Sequence, residues 1–161
     1  MIKIRRYKEK DLKECIEIIS KTLGKNNGKK AKKDFIKGMH PKLKEYTHLT
    51  RIVATKDKKI VGIAGVYTLI THPEKFIGIC WYGVMPRYQE KGIGAKLMLK
   101  MEEMAKGSNK EIFFVWADKK AVPFYRNFGF KINNRIKLKP AESKILMLKN
   151  LRRRNEKQNI S

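Results

Sequence analysis

Apolar positions recurring every second residue, or every third and fourth, divide the chain into short elements. Met1–Tyr7 puts Ile2 and Ile4 on one face and Lys3 and Arg5 on the other, the pattern of a half-buried strand. In Glu9–Leu23, residues Leu12, Cys15, Ile16, Ile19 and Leu23 share one side of an amphipathic helix. Gly24–Gly28 holds two glycines and two asparagines and reads as a loop. Within Lys29–Leu49, the spacing of Phe35, Ile36 and Met39, then Leu43 and Tyr46, predicts two short helices broken at Pro41. Arg51–Thr55 and Lys59–Ile70 are β-rich runs joined by the polar pair Asp57–Lys58, a hairpin pattern.

The second half is more regular. Phe76–Val84 reads as a strand that stops at Met85–Pro86, because proline cannot donate to a ladder. Gly92–Gly107 is helical, with Ile93, Leu97, Met101 and Ala105 on one face and Gly107 as a stop. Ile112–Trp116 is a continuous apolar run, as in a strand covered on both sides. Lys119–Asn127 is a short helix ended by Gly129, and Phe130–Leu138 and Lys144–Leu151 are two closing strands around Pro140. A strand-helix-strand unit calls for parallel pairing, whereas the hairpins are antiparallel. The prediction is an α/β (α+β) fold: one mixed sheet of about seven strands with helices on both faces. One domain is expected over residues 1–151, followed by a basic, flexible tail at Arg152–Ser161.

A chain of 161 residues with 42% apolar residues can bury one ordinary core. Its charge is less ordinary: 39 Lys+Arg against 15 Asp+Glu give a formal +24. Because the excess is spread along the chain, a solvated lysine-rich surface accounts for it. The same field attracts polyanions, so nucleic acid stays open as a partner alongside phosphorylated cofactors. Cys15 and Cys80 show no metal-ligand or redox spacing and read as reduced thiols, and no metal is called for. No apolar run approaches the ~18 residues that cross a bilayer, and Met1–Glu14 lacks the apolar middle of a signal peptide. A soluble cytoplasmic protein, monomeric or homodimeric and with no membrane partner, is expected.

The chemistry concentrates in Val84-Met85-Pro86-Arg87-Tyr88-Gln89-Glu90-Lys91-Gly92-Ile93-Gly94-Ala95, between a strand end and a helix start. Backbone N–H groups at a helix N-terminus lack internal partners and, with the helix dipole, favour anions. Gly92 and Gly94 let a phosphate approach the backbone without meeting a Cβ. Arg87 and Lys91 add positive charge at the rim. The terminal Gly-Lys-Ser/Thr of a Walker loop is absent, and the glycine spacing is not that of a dinucleotide fingerprint. Two glycines before a helix also occur in plain strand-to-helix turns.

Gln89-x-x-Gly92-x-Gly94-Ala95, preceded by Val84-x-Pro86, resembles the coenzyme A pyrophosphate motif of the GCN5-related N-acetyltransferase (GNAT) family. Downstream, Ala121-Val122-Pro123-Phe124-Tyr125-Arg126-Asn127-Phe128-Gly129-Phe130 resembles that family's helix-to-strand signature. The resemblance implies the acyl-CoA N-acyltransferase fold, with a parallel strand pair that splays apart in mid-sheet. It implies acetyl-CoA as co-substrate and an amine acceptor, attacked directly through a tetrahedral intermediate. Carried over residue by residue, Val84 and Met85 would bond the pantetheine arm or the acetyl carbonyl. The backbone N–H of either would also stabilise the oxyanion. Gln89, Glu90, Lys91, Gly92, Ile93, Gly94 and Ala95 would cradle the pyrophosphate. Tyr125 would be the general acid for the leaving thiolate, against the plainer role of packing beside Phe124 and Phe128.

Two departures stand out. Asp118 occupies a position where the family often has Asn, which puts its coenzyme contact in doubt. Ile79-Cys80-Trp81-Tyr82-Gly83 offers no carboxylate as general base, leaving His72, Glu74 or Tyr82 acting through water as candidates. The acceptor side falls to Leu23–Thr50 and the Thr71–Lys75 turn. The basic cluster Lys29, Lys30, Lys32 and Lys33 also leaves room for an RNA-associated acceptor, such as aminoacyl-tRNA or a ribosomal protein. A non-catalytic module binding coenzyme A or RNA on the same fold is the remaining alternative.

Overall fold

A computed structural model of the chain describes residues 1–37, 46–69, 71–135 and 144–152. The strands are β1 (Ile2–Arg6), β2 (Tyr46–Lys56), β3 (Lys59–Leu69), β4 (Phe76–Val84), β5 (Ile112–Ala117), β6 (Lys131–Ile132) and β7 (Ile145–Asn150). The helices are α1 (Leu12–Leu23), α2 (Lys25–Lys37), α3 (Ile93–Gly107) and α4 (Val122–Asn127). All seven strands join one sheet in the order β1-β2-β3-β4-β5-β7-β6. Among the described strands only β4 and β5 pair in parallel, as the intervening α3 crossover requires.

Local chemistry explains most of the frame. Asp57 and Lys58 adopt φ of 49° and 65°, the primed turn whose twist suits a two-residue hairpin. Side chains alternate across the sheet, so Ile52 and Ala54 of β2 join one core and Val53 the other. On the first face, α3 packs Leu97, Met98 and Met101 onto the sheet, and α4 packs Val122 and Tyr125. On the opposite face lie Cys15, Ile18 and Ile19 of α1 with Ala31 and Phe35 of α2. Glu102 ties α3 to β7 by accepting from Lys149 at 2.9 Å while also pairing with Lys106.

Three expectations need correction. The loop foreseen over 24–28 shrinks to Gly24, whose φ of 95° breaks the chain, and α2 begins at Lys25. Gly28 is a packing glycine: a Cβ there would lie 1.9 Å from Ser20 Oγ of α1. The Asn27 amide donates to the Leu23 carbonyl at 2.7 Å, closing the end of α1. The break expected at Pro41 lies outside the described residues, and Tyr46 and Leu49 belong to β2 rather than to a helix. The strand foreseen from Phe130 is short as described, since an Asn133 side-chain turn onto the Arg135 N–H follows Ile132. Residues 136–138, and the expected tail from residue 153 onward, lie outside the described residues.

In mid-sheet, β4 and β5 pair only at 76–78 with 112–114 and then part. Both strands continue past the last pair, to Val84 and Ala117. On the other edge, the β3 register shifts between Ile63 and Gly65. There Trp81 and Tyr82 together face the single Ala64, a β-bulge that bends β4 away from its neighbour. Trp81 takes φ of 45°, an unusual conformation for an aromatic residue.

Candidate active site

The bulge decides which backbone groups face the gap. Met85 donates its N–H to the Val61 carbonyl at 2.9 Å, so ladder alternation turns the N–H and C=O of Val84 toward the β5 side. The Gln89 side chain reaches that edge and donates to the Val84 carbonyl at 3.0 Å. Met85 itself is not brought into the gap. Its N–H serves β3, its carbonyl accepts from Tyr88 at 2.8 Å, and its side chain is buried beside Cys15 and Ile63.

Gly92 caps α3 with φ of 75°, and among the described residues no side chain caps the helix end. The first intrahelical bond runs from Lys96 N–H to the Gly92 carbonyl at 3.1 Å. The N–H groups of Ile93, Gly94 and Ala95 therefore have no helical acceptor. The Ile93 side chain lies in the core, so only its backbone can serve a ligand. Arg87, Lys91 and Lys56 gather over the Tyr88 ring at 5.1, 5.5 and 5.6 Å, making the approach basic. Glu90, also in a left-handed conformation, lines the mouth.

From this helix end a cavity of about 920 Å³ runs into the gap between β4 and β5. Such a volume suits a cofactor-sized ligand. Its walls lie on both faces of the sheet. Tyr82, Gly94, Phe124 and Tyr125 line the α3/α4 side. Tyr125 is 5% exposed, with its ring 5.4 to 6.4 Å from those of Phe124, Phe130 and Tyr82. Burial, and then the Asp118 carboxylate, push the Tyr125 phenol above its ordinary value, and burial does the same for Tyr82. Both hydroxyls therefore hold their protons at any ordinary pH. The Tyr82 hydroxyl abuts Gly94, where a Cβ would come within 2.7 Å of it.

Asp34, Tyr67, Cys80, Trp81 and Trp116 line the α1/α2 side. Asp34 is 8% exposed, and its Oδ2 accepts from Trp81 Nε1 at 2.6 Å and from Arg51 at 3.4 Å. The Arg51 guanidinium lies over the Phe35 ring, 4.0 Å from its centroid. Burial pushes the Cys80 and Cys15 thiols up to about 12, so neither is a ready nucleophile.

Of the base candidates, only Tyr82 reaches the cavity. His72 is exposed against Phe76 and Thr71, and Glu74 is exposed in the same turn. Asp118 lines the cavity in an ion pair with Lys144. Asp34 and Trp81 escaped the sequence reading. One signal was available: Asp34 shares the inner side of α2 with Ala31 and Phe35, while Lys29, Lys30, Lys32 and Lys33 face out.

Strands that part beside an uncapped helix end are the architecture of enzymes that transfer acyl groups from coenzyme A thioesters. The profile of the acetyltransferase (GNAT) family matches residues 13–130, and the chain belongs to that family as a GNAT-type N-acetyltransferase. No curated protein matches the sequence. Solved structures agree in fold. A GNAT-family acetyltransferase of Staphylococcus aureus is 22% identical, with a TM-score of 0.74 over 94% of this chain and 100% of its own. An aminoglycoside 6'-N-acetyltransferase complexed with coenzyme A is 14% identical, with a TM-score of 0.73 over 94% and 98%. An Escherichia coli GNAT-family N-acetyltransferase in complex with CoA is 16% identical, with a TM-score of 0.73 over 94% and 82%. Among the described residues, no helix is long and apolar enough to cross a membrane.

Proposed function

We propose that the protein acetylates a primary amine, with acetyl-CoA as donor. The observation that carries this reading is continuity: the N-terminus of α3 opens into the same cavity that passes the β5-side edge of Val84 and ends beside Tyr125. The N–H groups of Ile93, Gly94 and Ala95, with Gly92 leaving room, would hold the pyrophosphate. Gly92 accepts this role because nothing lies within 4 Å of where its Cβ would be. Gln89 would give up its bond to the Val84 carbonyl so that the pantetheine arm can pair with that edge. Met85 is left out of this assignment, and Lys91 contributes field rather than contact.

Acetyl-CoA supplies an acyl group activated as a thioester. The chain supplies position and a proton. Tyr125 keeps its phenolic proton in a dry aromatic setting and delivers it toward the sulfur as the thiol departs. The Val84 N–H, free of the β3 ladder, is the donor placed for developing negative charge. Tyr82 stands across the gap from Tyr125 and can relay the amine's proton outward through water. The aminoglycoside enzyme of similar fold likewise has an amine acceptor by name.

Calorimetric titration with coenzyme A tests the reading directly: one-to-one binding is expected, and no heat with folded protein would end it. Thiol release from acetyl-CoA with a panel of primary amines tests the transfer. An RNA-associated acceptor is favoured by one feature, the exposed Lys29, Lys30, Lys32 and Lys33 on α2, the helix that carries Asp34. In that case affinity for tRNA falls steeply with salt.

A further inference from the structure

The charges inside the cavity run against those of the protein. Across the chain Lys+Arg outnumber Asp+Glu by 39 to 15. Among the described residues lining the cavity the balance inverts, with Asp34, Glu90 and Asp118 against Lys144 alone. Asp118 and Lys144 pair with each other, and Glu90 sits at the coenzyme mouth. On the α1/α2 side this leaves Asp34 as the one charged side chain among the described lining residues.

Its surroundings are built rather than incidental. Arg51 beside the carboxylate offsets part of the cost of burying it, and the Trp81 indole fixes one oxygen. Arg51 does not line the cavity, so the face shown to a ligand is the acid and not its counter-ion. The wall beside it is largely aromatic or apolar, with Trp81, Trp116, Tyr67 and Leu49; its polar residues Thr22 and Asn27 donate to the main chain of α1. Aromatic faces beside a carboxylate attract a cation that is attached to an apolar body. They disfavour a carboxylate next to the amine, which would meet Asp34 with like charge.

Building on the proposed amine transfer, we propose that the acceptor is a cationic arylalkyl or alkyl amine with no carboxylate beside the nitrogen. Asp34 is the specificity-determining residue that receives its ammonium group. The bound ammonium then loses its proton to solvent before attack, since a carboxylate is too weak a base to hold it.

Phenethylamine and phenylalanine share a skeleton and differ by one carboxylate, so they are the probes. Binding is read from the fluorescence of Trp81 and Trp116, both in the cavity wall, and transfer from thiol release. Wild-type protein should prefer phenethylamine at least tenfold in kcat/KM. Asp34→Asn keeps an oxygen for the Trp81 indole but removes the charge. It should raise KM for phenethylamine about tenfold to a hundredfold, change kcat by less than threefold, and shrink the preference over phenylalanine.

Coenzyme A calorimetry on both proteins separates the levels of the argument. If wild-type protein gives no heat, the transferase reading beneath falls. If coenzyme A binds normally to both, three results overturn this inference alone: no fluorescence response to phenethylamine, equal use of the two probes, or an unchanged KM in Asp34→Asn.

Discussion

The two faces of the central sheet build their halves of the cavity from different materials. On the α3/α4 face the main chain itself offers polar groups to a ligand: the N–H groups of Ile93, Gly94 and Ala95, and the edge of Val84, whose carbonyl accepts from Gln89. On the α1/α2 face they are side chains, with Asp34 held by Trp81 and Arg51. Main-chain donors are the same in every protein, so the first half suits a co-substrate shared across a family. Side chains differ from protein to protein, so the second half is where one acceptor can be chosen over another. The contrast predicts that damage on the first face removes coenzyme binding or chemistry, while damage on the second changes which amine is used.

The largest effect should come from Gly92→Glu. The new side chain has open space around it, so the fold survives. Its left-handed φ costs a non-glycine residue about 1–2 kcal/mol. The carboxylate would stand where the pyrophosphate charge is expected, and affinity for coenzyme A should fall more than a hundredfold. Calorimetry reads the loss, and a thermal melt reports the retained fold. Affinity within tenfold of wild type would mean that the phosphates bind elsewhere.

Tyr125→Phe should come next. The ring stays packed among Phe124, Phe130 and Tyr82, so only the proton donor is lost. Turnover should drop about a hundredfold, within the range of general-acid contributions, while coenzyme affinity moves less than twofold. Because burial raises the phenol above its ordinary value, wild-type kcat should show no decline as pH passes about 10. A fall near that value would place the phenol in a wetter setting.

Asp34→Ala sharpens the comparison from the other side. Asparagine at this position still accepts from the Trp81 indole, whereas alanine leaves both the indole and Arg51 short of a partner. An orphaned buried donor costs about 2 kcal/mol, so Asp34→Ala should melt earlier than Asp34→Asn. Their KM values for a cationic amine should be similarly raised. If alanine alone weakens coenzyme binding, the strained Trp81 bulge depends on Asp34 for its shape, and the faces are coupled.

The same division explains what the sequence disclosed. Strand limits such as Phe76–Val84, the start of α3 and the Asp57–Lys58 hairpin follow from local patterns that need no neighbour. The open helix start at Gly92 was legible because a left-handed cap needs glycine itself and no distant partner. Where Met85 sends its N–H was not legible, because a position next to the motif says nothing about which strand takes it. Gly28 resembled a loop residue because its use, close contact with Ser20, depends on a second helix. Asp34 was hidden for the same reason. Its partners Arg51 and Trp81 lie 17 and 47 residues away, and in the sequence it is one acid in a lysine-rich helix.

The smallest effect should come from a second buried acid on the same flank, Asp11. It is 3% exposed, accepts from Arg5 at 2.7 and 2.8 Å, and takes the Lys8 N–H at 2.8 Å at the start of α1. The Arg5 hydrogen bonds hold its carboxyl below the ordinary value. Its contribution is therefore full above the unfolded-state value of about 3.9 and is lost as pH falls through the lower folded value. Asp11→Asn should cost about 1 kcal/mol at neutral pH and flatten the acid limb of a stability curve. It should leave coenzyme affinity and amine KM unchanged, because Asp11 does not line the cavity. If Asp11→Asn raised amine KM as much as Asp34→Asn, charge anywhere on this flank would suffice. The acceptor would then be drawn by the field of the whole face and not by one carboxylate in an aromatic wall.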